Sequence, residues 1–213
     1  VTYRDGSTGE EVTETITADH VAGLVRMYAY MPAVGALLPQ LIREASQGRY
    51  ANLMALAKMM QGDLEDSMSM GMQMSVICTE DADSMVVRAE DADTVLGNRM
   101  VESMAAMCEA WPKGDKPADF NTALKGELPV LVLTGEFDPV TPPKYGEEIA
   151  NKGLPKARWL DLKGQGHSVL GAGCMPKLFA QFIEKADAKA LDAKCLDKLA
   201  YVPPFTSYNG WEP

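Results

Sequence analysis

Two residues of this 213-residue chain are spaced for proton transfer. Asp138 stands in Gly-Glu-Phe-Asp-Pro-Val-Thr-Pro-Pro (135–143), four residues past an apolar run that ends at Thr134. His167 stands in Gly-Gln-Gly-His (164–167), just behind a second strand candidate, Arg158-Trp-Leu-Asp-Leu162. An acid after one strand and a histidine after the next is what an orienting carboxylate and a general base require. The carboxylate fixes the imidazole tautomer and stabilises the imidazolium; the imidazole takes a proton from a nucleophile. Alone, each residue has a plainer reading, since Asp-Pro commonly makes a turn. Thr141 is placed to cap the helix that follows and so hold the Asp138 loop.

Those two residues need strands and helices to position them. Pro129-Val-Leu-Val-Leu-Thr134 is a short continuous apolar run, as in a strand buried on both faces of a parallel sheet. A helix is predicted from Pro142, a second strand over Arg158–Leu162, and another helix from about Met175 to Ala186. The order strand, helix, strand, helix marks an α/β unit, whose sites gather at the C-terminal ends of the strands. Two strands leave unpaired edges, so residues 120–186 read as the end of a larger sheet.

The front half reads differently. A short strand is predicted over 12–16. A helix follows, capped at Thr17 and ended by Pro32. A second helix starts near Pro39 and stops at Gly48, and a third starts near Ala51. The stretch Ser-Met-Ser-Met-Gly-Met-Gln-Met-Ser (67–75) alternates like a strand, yet Met68 and Met72 also share a helix face, so its periodicity does not decide. Asp91 or Asp93 would cap another helix, which reaches Cys108 and closes at Trp111-Pro112. Residues 112–119 read as a linker.

Composition divides at the same place. Residues 1–115 hold 18 Asp and Glu against 8 Lys and Arg, and 13 of the 14 Met; residues 116–213 hold 12 acids and 12 bases. Two domains are expected, a helical, Met-rich, acidic region (1–115) and an α/β segment (116–213). A net charge of −10 argues against a nucleic-acid partner, because phosphate contacts need clustered Lys and Arg. No apolar run approaches the ~18 residues of a membrane span.

The four cysteines, Cys78, Cys108, Cys174 and Cys195, form no C-x-x-C pair, and His20 and His167 are the only histidines. Neither a metal site nor a cofactor is expected. Four cysteines allow three disulfide connectivities. Pairing neighbours would close two modest loops, each stabilising by roughly 3 kcal/mol; four reduced thiols remain the alternative.

Residues 129–143 and 164–170 together resemble the C-terminal part of α/β-hydrolases, closest to the prolyl and tripeptidyl aminopeptidase branch. The resemblance continues through Gly173-Cys174, Leu191-Asp192 with Cys195, and Pro203-Pro204-Phe205. Upstream, Val76-Ile-Cys-Thr-Glu-Asp81, Cys108-Glu-Ala-Trp111, Thr8-Gly9 and Leu38-Pro39 are similar to that branch's lid. It implies an α/β fold, the last two parallel strands with flanking helices behind a mostly helical lid. It further implies Asp138 as triad acid and His167 as triad base. Disulfides Cys78–Cys108 and Cys174–Cys195 would follow, and with them an exported protein. Glu80, with Asp81 as the weaker candidate, would meet the free α-amine of a peptide substrate. An ordinary surface acid or helix cap is the competing reading of Glu80.

One part of the pattern is missing. The fold places its nucleophile in G-x-S-x-G between a strand and a helix, and the chain has no such motif. Gly6-Ser7-Thr8-Gly9 has the wrong spacing, and Gly166-His-Ser-Val-Leu170 lacks the final glycine. Ser67-Met-Ser69-Met-Gly71 is nearest, but acidic, polar residues precede it where an elbow needs a buried strand. The expectation is a chain that starts after the nucleophile and is inactive alone, with the nucleophile on a separate N-terminal half. Three alternatives stand beside an exported aminopeptidase: an esterase of the same fold, a non-catalytic domain binding an apolar ligand or partner, and a complete small hydrolase using Ser69.

Overall fold

Short-range chemistry shapes the first elements of the computed structural model, which describes residues 1–6 and 8–209. Ser7 lies outside the described residues. Strand β1 (Thr2–Arg4) pairs antiparallel with β2 (Glu11–Thr13). The Asp5 carboxylate accepts the Thr8 amide at 2.8 Å and its hydroxyl at 3.0 Å, which closes the turn. The expected strand over 12–16 is thus shorter and earlier, because its partner β1 sets its limits. Helix α1 (Ala18–Tyr30) begins where expected: the Thr17 amide donates to His20 Nδ1 at 3.1 Å. It stops two residues before Pro32.

The chain divides into two units, one of Val1–Arg26 with Gly48–Asn121, the other of Met27–Gln47 with Thr122–Pro213. The composition break at 115/116 lies close to the crossing at 121/122, but residues 27–47 pack with the later part.

The first unit contains the hairpin, most of α1, and helices α4 (Ala51–Ser67), α5 (Met70–Glu80) and α6 (Arg99–Ala110). The ambiguous Met-rich stretch is helical from Met70. Met74 and Cys78, four residues apart on one face, are buried, while Met72 is 67% exposed. Cys78 is bonded to Cys108 of α6, with Ile77, Met104 and Trp111 packed around them. Helix α6 does not start at Asp91 or Asp93. Asp91 closes a 3-10 turn (Ala89–Asp91) and its carbonyl takes the Thr94 amide and hydroxyl. Gly97 then adopts φ +56°. The turn sets the backbone here through the Asp91 carbonyl and Thr94, so no helix starts for the carboxylate to cap.

The second unit starts with the end of α1, the short α2 (Pro32–Gly35) and α3 (Leu38–Ser46). Strand β3 (Val130–Gly135) lies parallel to β4 (Ala157–Leu162), with Val130 opposite Ala157 and Gly135 opposite Leu162. Helix α7 (Pro143–Asn151) connects them, and α8 (Met175–Lys185) follows. Among the described residues β3 pairs with β4 alone, and Val130–Leu133 are half-buried rather than covered on both faces. The core gathers Leu162, Val169, Met175, Leu178, Leu191 and Leu196. Cys174 and Cys195 are bonded beside it. The tail closes on the early segment: the Phe205 amide donates to the Ala36 carbonyl at 2.8 Å, and the Tyr208 hydroxyl to the buried Glu44 at 2.7 Å.

Candidate functional site

The end of β3 delivers Asp138. Its amide donates to the Gly135 carbonyl at 3.0 Å, which tightens the turn. Its buried carboxylate is then almost fully engaged. Oδ1 accepts the Val140 amide at 2.8 Å and the Thr141 amide at 2.9 Å; Oδ2 accepts the Thr141 hydroxyl at 2.9 Å. Thr141 therefore does not cap α7 as expected: its side chain turns back to the acid, and α7 opens on Pro143. Thr141 still holds the loop, through the carboxylate.

The end of β4 delivers His167. Its Nδ1 lies 3.1 and 3.0 Å from Asp138 Oδ1 and Oδ2. Burial alone would push the Asp138 carboxyl up. The bonds from the Thr141 amide, His167, the Val140 amide and the Thr141 hydroxyl outweigh it and hold the carboxyl below the usual range. An anionic Asp138 accepts the Nδ1 proton and so leaves the lone pair on Nε2. Among the described residues nothing hydrogen-bonds to Nε2, and the imidazole side chain is 39% exposed.

Sequence reasoning missed three neighbours. The Tyr30 carbonyl accepts the His167 amide at 2.8 Å, and its ring stands edge-on to the imidazole at 5.4 Å. Glu136 accepts the Gly164 amide at 2.8 Å and the Tyr201 hydroxyl at 3.0 Å. Glu136 had a local signal, its place between Gly135 and Asp138; Tyr30 and Tyr201 had none, being brought in by long-range packing. Ser168, directly after His167, adopts φ +73°, a left-handed conformation that costs a non-glycine residue roughly 1–2 kcal/mol.

Asp138, His167 and Thr141 thus form one hydrogen-bonded cluster. Glu80 and Asp81 belong to the other unit. Glu80 ends α5 half-buried, its carbonyl taking Lys116 Nζ at 2.8 Å. Asp81 is exposed, and its carbonyl accepts the Ser84 amide and hydroxyl. Ser69 precedes α5 at φ −80° and follows helix α4, so no strand leads into it. Among the described residues no three His, Cys, Asp or Glu side chains gather to hold a metal, and no helix is long and apolar enough to cross a membrane.

Residues 93–195 match a family model of α/β-hydrolases described as TAP-like protein. This segment belongs to the TAP-like α/β-hydrolases. It contains both strands of the parallel sheet, Asp138, Thr141 and His167, and the whole Cys174–Cys195 disulfide. The fold is accordingly part of an α/β-hydrolase fold with a helical region beside it in sequence. Glu80, Asp81 and Ser69 precede the TAP-like segment. No curated protein and no solved structure matches the chain.

Proposed function

We propose that this chain supplies the acid and the base of an exported serine hydrolase that releases residues or short peptides from the free amino end of peptides. The observation that carries this reading is the Asp138–His167 contact at 3.0 Å with Nε2 left open. In the reaction, Nε2 removes the proton of a serine hydroxyl as that oxygen attacks the scissile carbonyl. The anion of Asp138 stabilises the imidazolium, which then protonates the leaving amine. The nucleophile comes from residues other than those in this chain. The absence of G-x-S-x-G and the unpaired edge of β3 among the described residues support that. Glu80 pairs with the substrate's α-ammonium, a charge-assisted bond of the strong kind. Two disulfides favour an oxidising compartment.

The test is the intact mass of the purified chain before and after a fluorophosphonate probe. No adduct is expected on this chain. An adduct on Ser69 would instead make it a self-contained hydrolase. Expressed from its full reading frame, the protein is expected to take up one probe and to cleave a free-amine peptide but not its N-acetylated form. His167→Ala should lower that rate by about 10³-fold or more. A full-frame protein that neither takes up probe nor hydrolyses peptide or ester would overturn the reading.

A further inference from the structure

We infer that Glu136 is a positioning residue that holds the acid loop and the base loop in register, so that Asp138 and His167 meet. The inference rests on the proposed roles of those two residues.

Glu136 sits between the strand end and Asp138, yet its side chain points to the other loop. One carboxylate oxygen takes the Gly164 amide at 2.8 Å, at the start of the turn that carries His167. The other takes the Tyr201 hydroxyl at 3.0 Å. This bond, with some burial and the negative charge of Glu136, pushes the Tyr201 hydroxyl up from its ordinary value. Backbone bonds run parallel to the side-chain bridge. The Glu136 amide donates to the Leu162 carbonyl at 3.2 Å and the Phe137 amide to the Gln165 carbonyl at 2.8 Å. The Phe137 and Tyr201 rings stack at 5.5 Å over the junction, and Lys163 Nζ lies 4.8 Å from the Tyr201 ring. Gly164 is at φ +68°, so its amide direction is set by an unusual backbone that Glu136 locks. One carboxylate therefore joins the loop after β3, the loop after β4 and the segment around Tyr201. Neither Asp138 nor His167 touches it, which separates orientation from proton transfer.

The test reads the hydrogen-bonded Nδ1 proton of His167 by NMR in the full chain, which needs no nucleophile. Wild type should show a sharp downfield resonance, and Asp138→Asn should abolish it. If wild type lacks that resonance or Asp138→Asn leaves it unchanged, the proposed roles of the pair fail, and this inference with them. If the pair is present, Glu136→Ala should broaden or erase the resonance while the Trp159 indole signal stays in place. Glu136→Gln should retain it, since the amide oxygen can accept Gly164 and the amide nitrogen can donate to Tyr201. A resonance unchanged in Glu136→Ala overturns the role of Glu136 alone. Should the alanine variant not fold, Glu136→Asp decides, because it keeps the charge but is one methylene too short to reach the Gly164 amide. A broadened resonance then supports the bridge, and an unchanged one overturns it.

Discussion

Gly166 faces the carbonyl of Tyr30 so closely that a Cβ on it would lie 2.2 Å from that oxygen. The next amide, that of His167, donates to the same oxygen at 2.8 Å. Close approach by a residue without a side chain is what lets the end of α1 grip the base. Gly166→Ala must therefore push the loop off Tyr30. A loss of about 1–3 kcal/mol is expected from the forced shift, with loss of the His167 amide's protection from exchange. Thermal unfolding with hydrogen exchange checks both; a variant as stable and as protected as wild type contradicts the contact.

Asp138 ties pH to stability. Its carboxyl is held below the usual range, so the unfolded chain, at about 3.9, binds the proton first on acidification. The stabilisation is therefore present above about pH 4 and lost as pH falls through the lower folded value. At neutral pH Asp138→Asn should cost about 1–3 kcal/mol by leaving its buried donors poorly matched. The gap in Tm between the two proteins should shrink below about pH 4. A gap independent of pH would rule out the anion as the stabilising form.

The disulfides enclose separations of 30 and 21 residues. On the chain-entropy account each removes about 3–4 kcal/mol of freedom from the unfolded state. Replacing both cysteines of either pair by serine should lower unfolding free energy by about that much, measured in denaturant. Thiol titration of the denatured, unreduced wild type should find no free thiol, and four after reduction.

Tyr28 is 1% exposed, and among the described residues its hydroxyl has no hydrogen-bond partner. Burial, then the nearby Tyr208, pushes that hydroxyl up. Tyr28→Phe removes the unmatched group and keeps the ring. Stability should stay level or rise, by up to about 1–2 kcal/mol. A clear loss of Tm would reveal a bond to that hydroxyl.

The acid and the base were legible because their signals are local. The continuous apolar run before Gly135 reads as β3, Arg158-Trp-Leu-Asp-Leu162 reads as β4, and a histidine among glycines reads as a strand-end loop. Cys78 and Cys108 are partnered as the family resemblance implies. Illegible parts involved competition or distance. Thr141 could cap a helix or bind the Asp138 carboxylate three residues earlier, and only the fold shows that Asp138 wins. Asp91 had the composition of a cap, but a local turn claimed it first. Strands of three residues such as β1 are too short for any period to register. Nothing in residues 27–47 announces that they pack with residues beyond 121.

That last packing has a timetable. Glu44 and Tyr208 are 164 residues apart. A ribosome adding about 5–20 residues per second needs roughly 10–30 s to cover that distance. Throughout, α3 waits without the Tyr208 hydroxyl that binds Glu44, and for most of that time Tyr30 waits without the loop it will hold. The front helices can settle during synthesis; the contact of Tyr30 with the His167 amide can form only once residue 167 has left the exit tunnel.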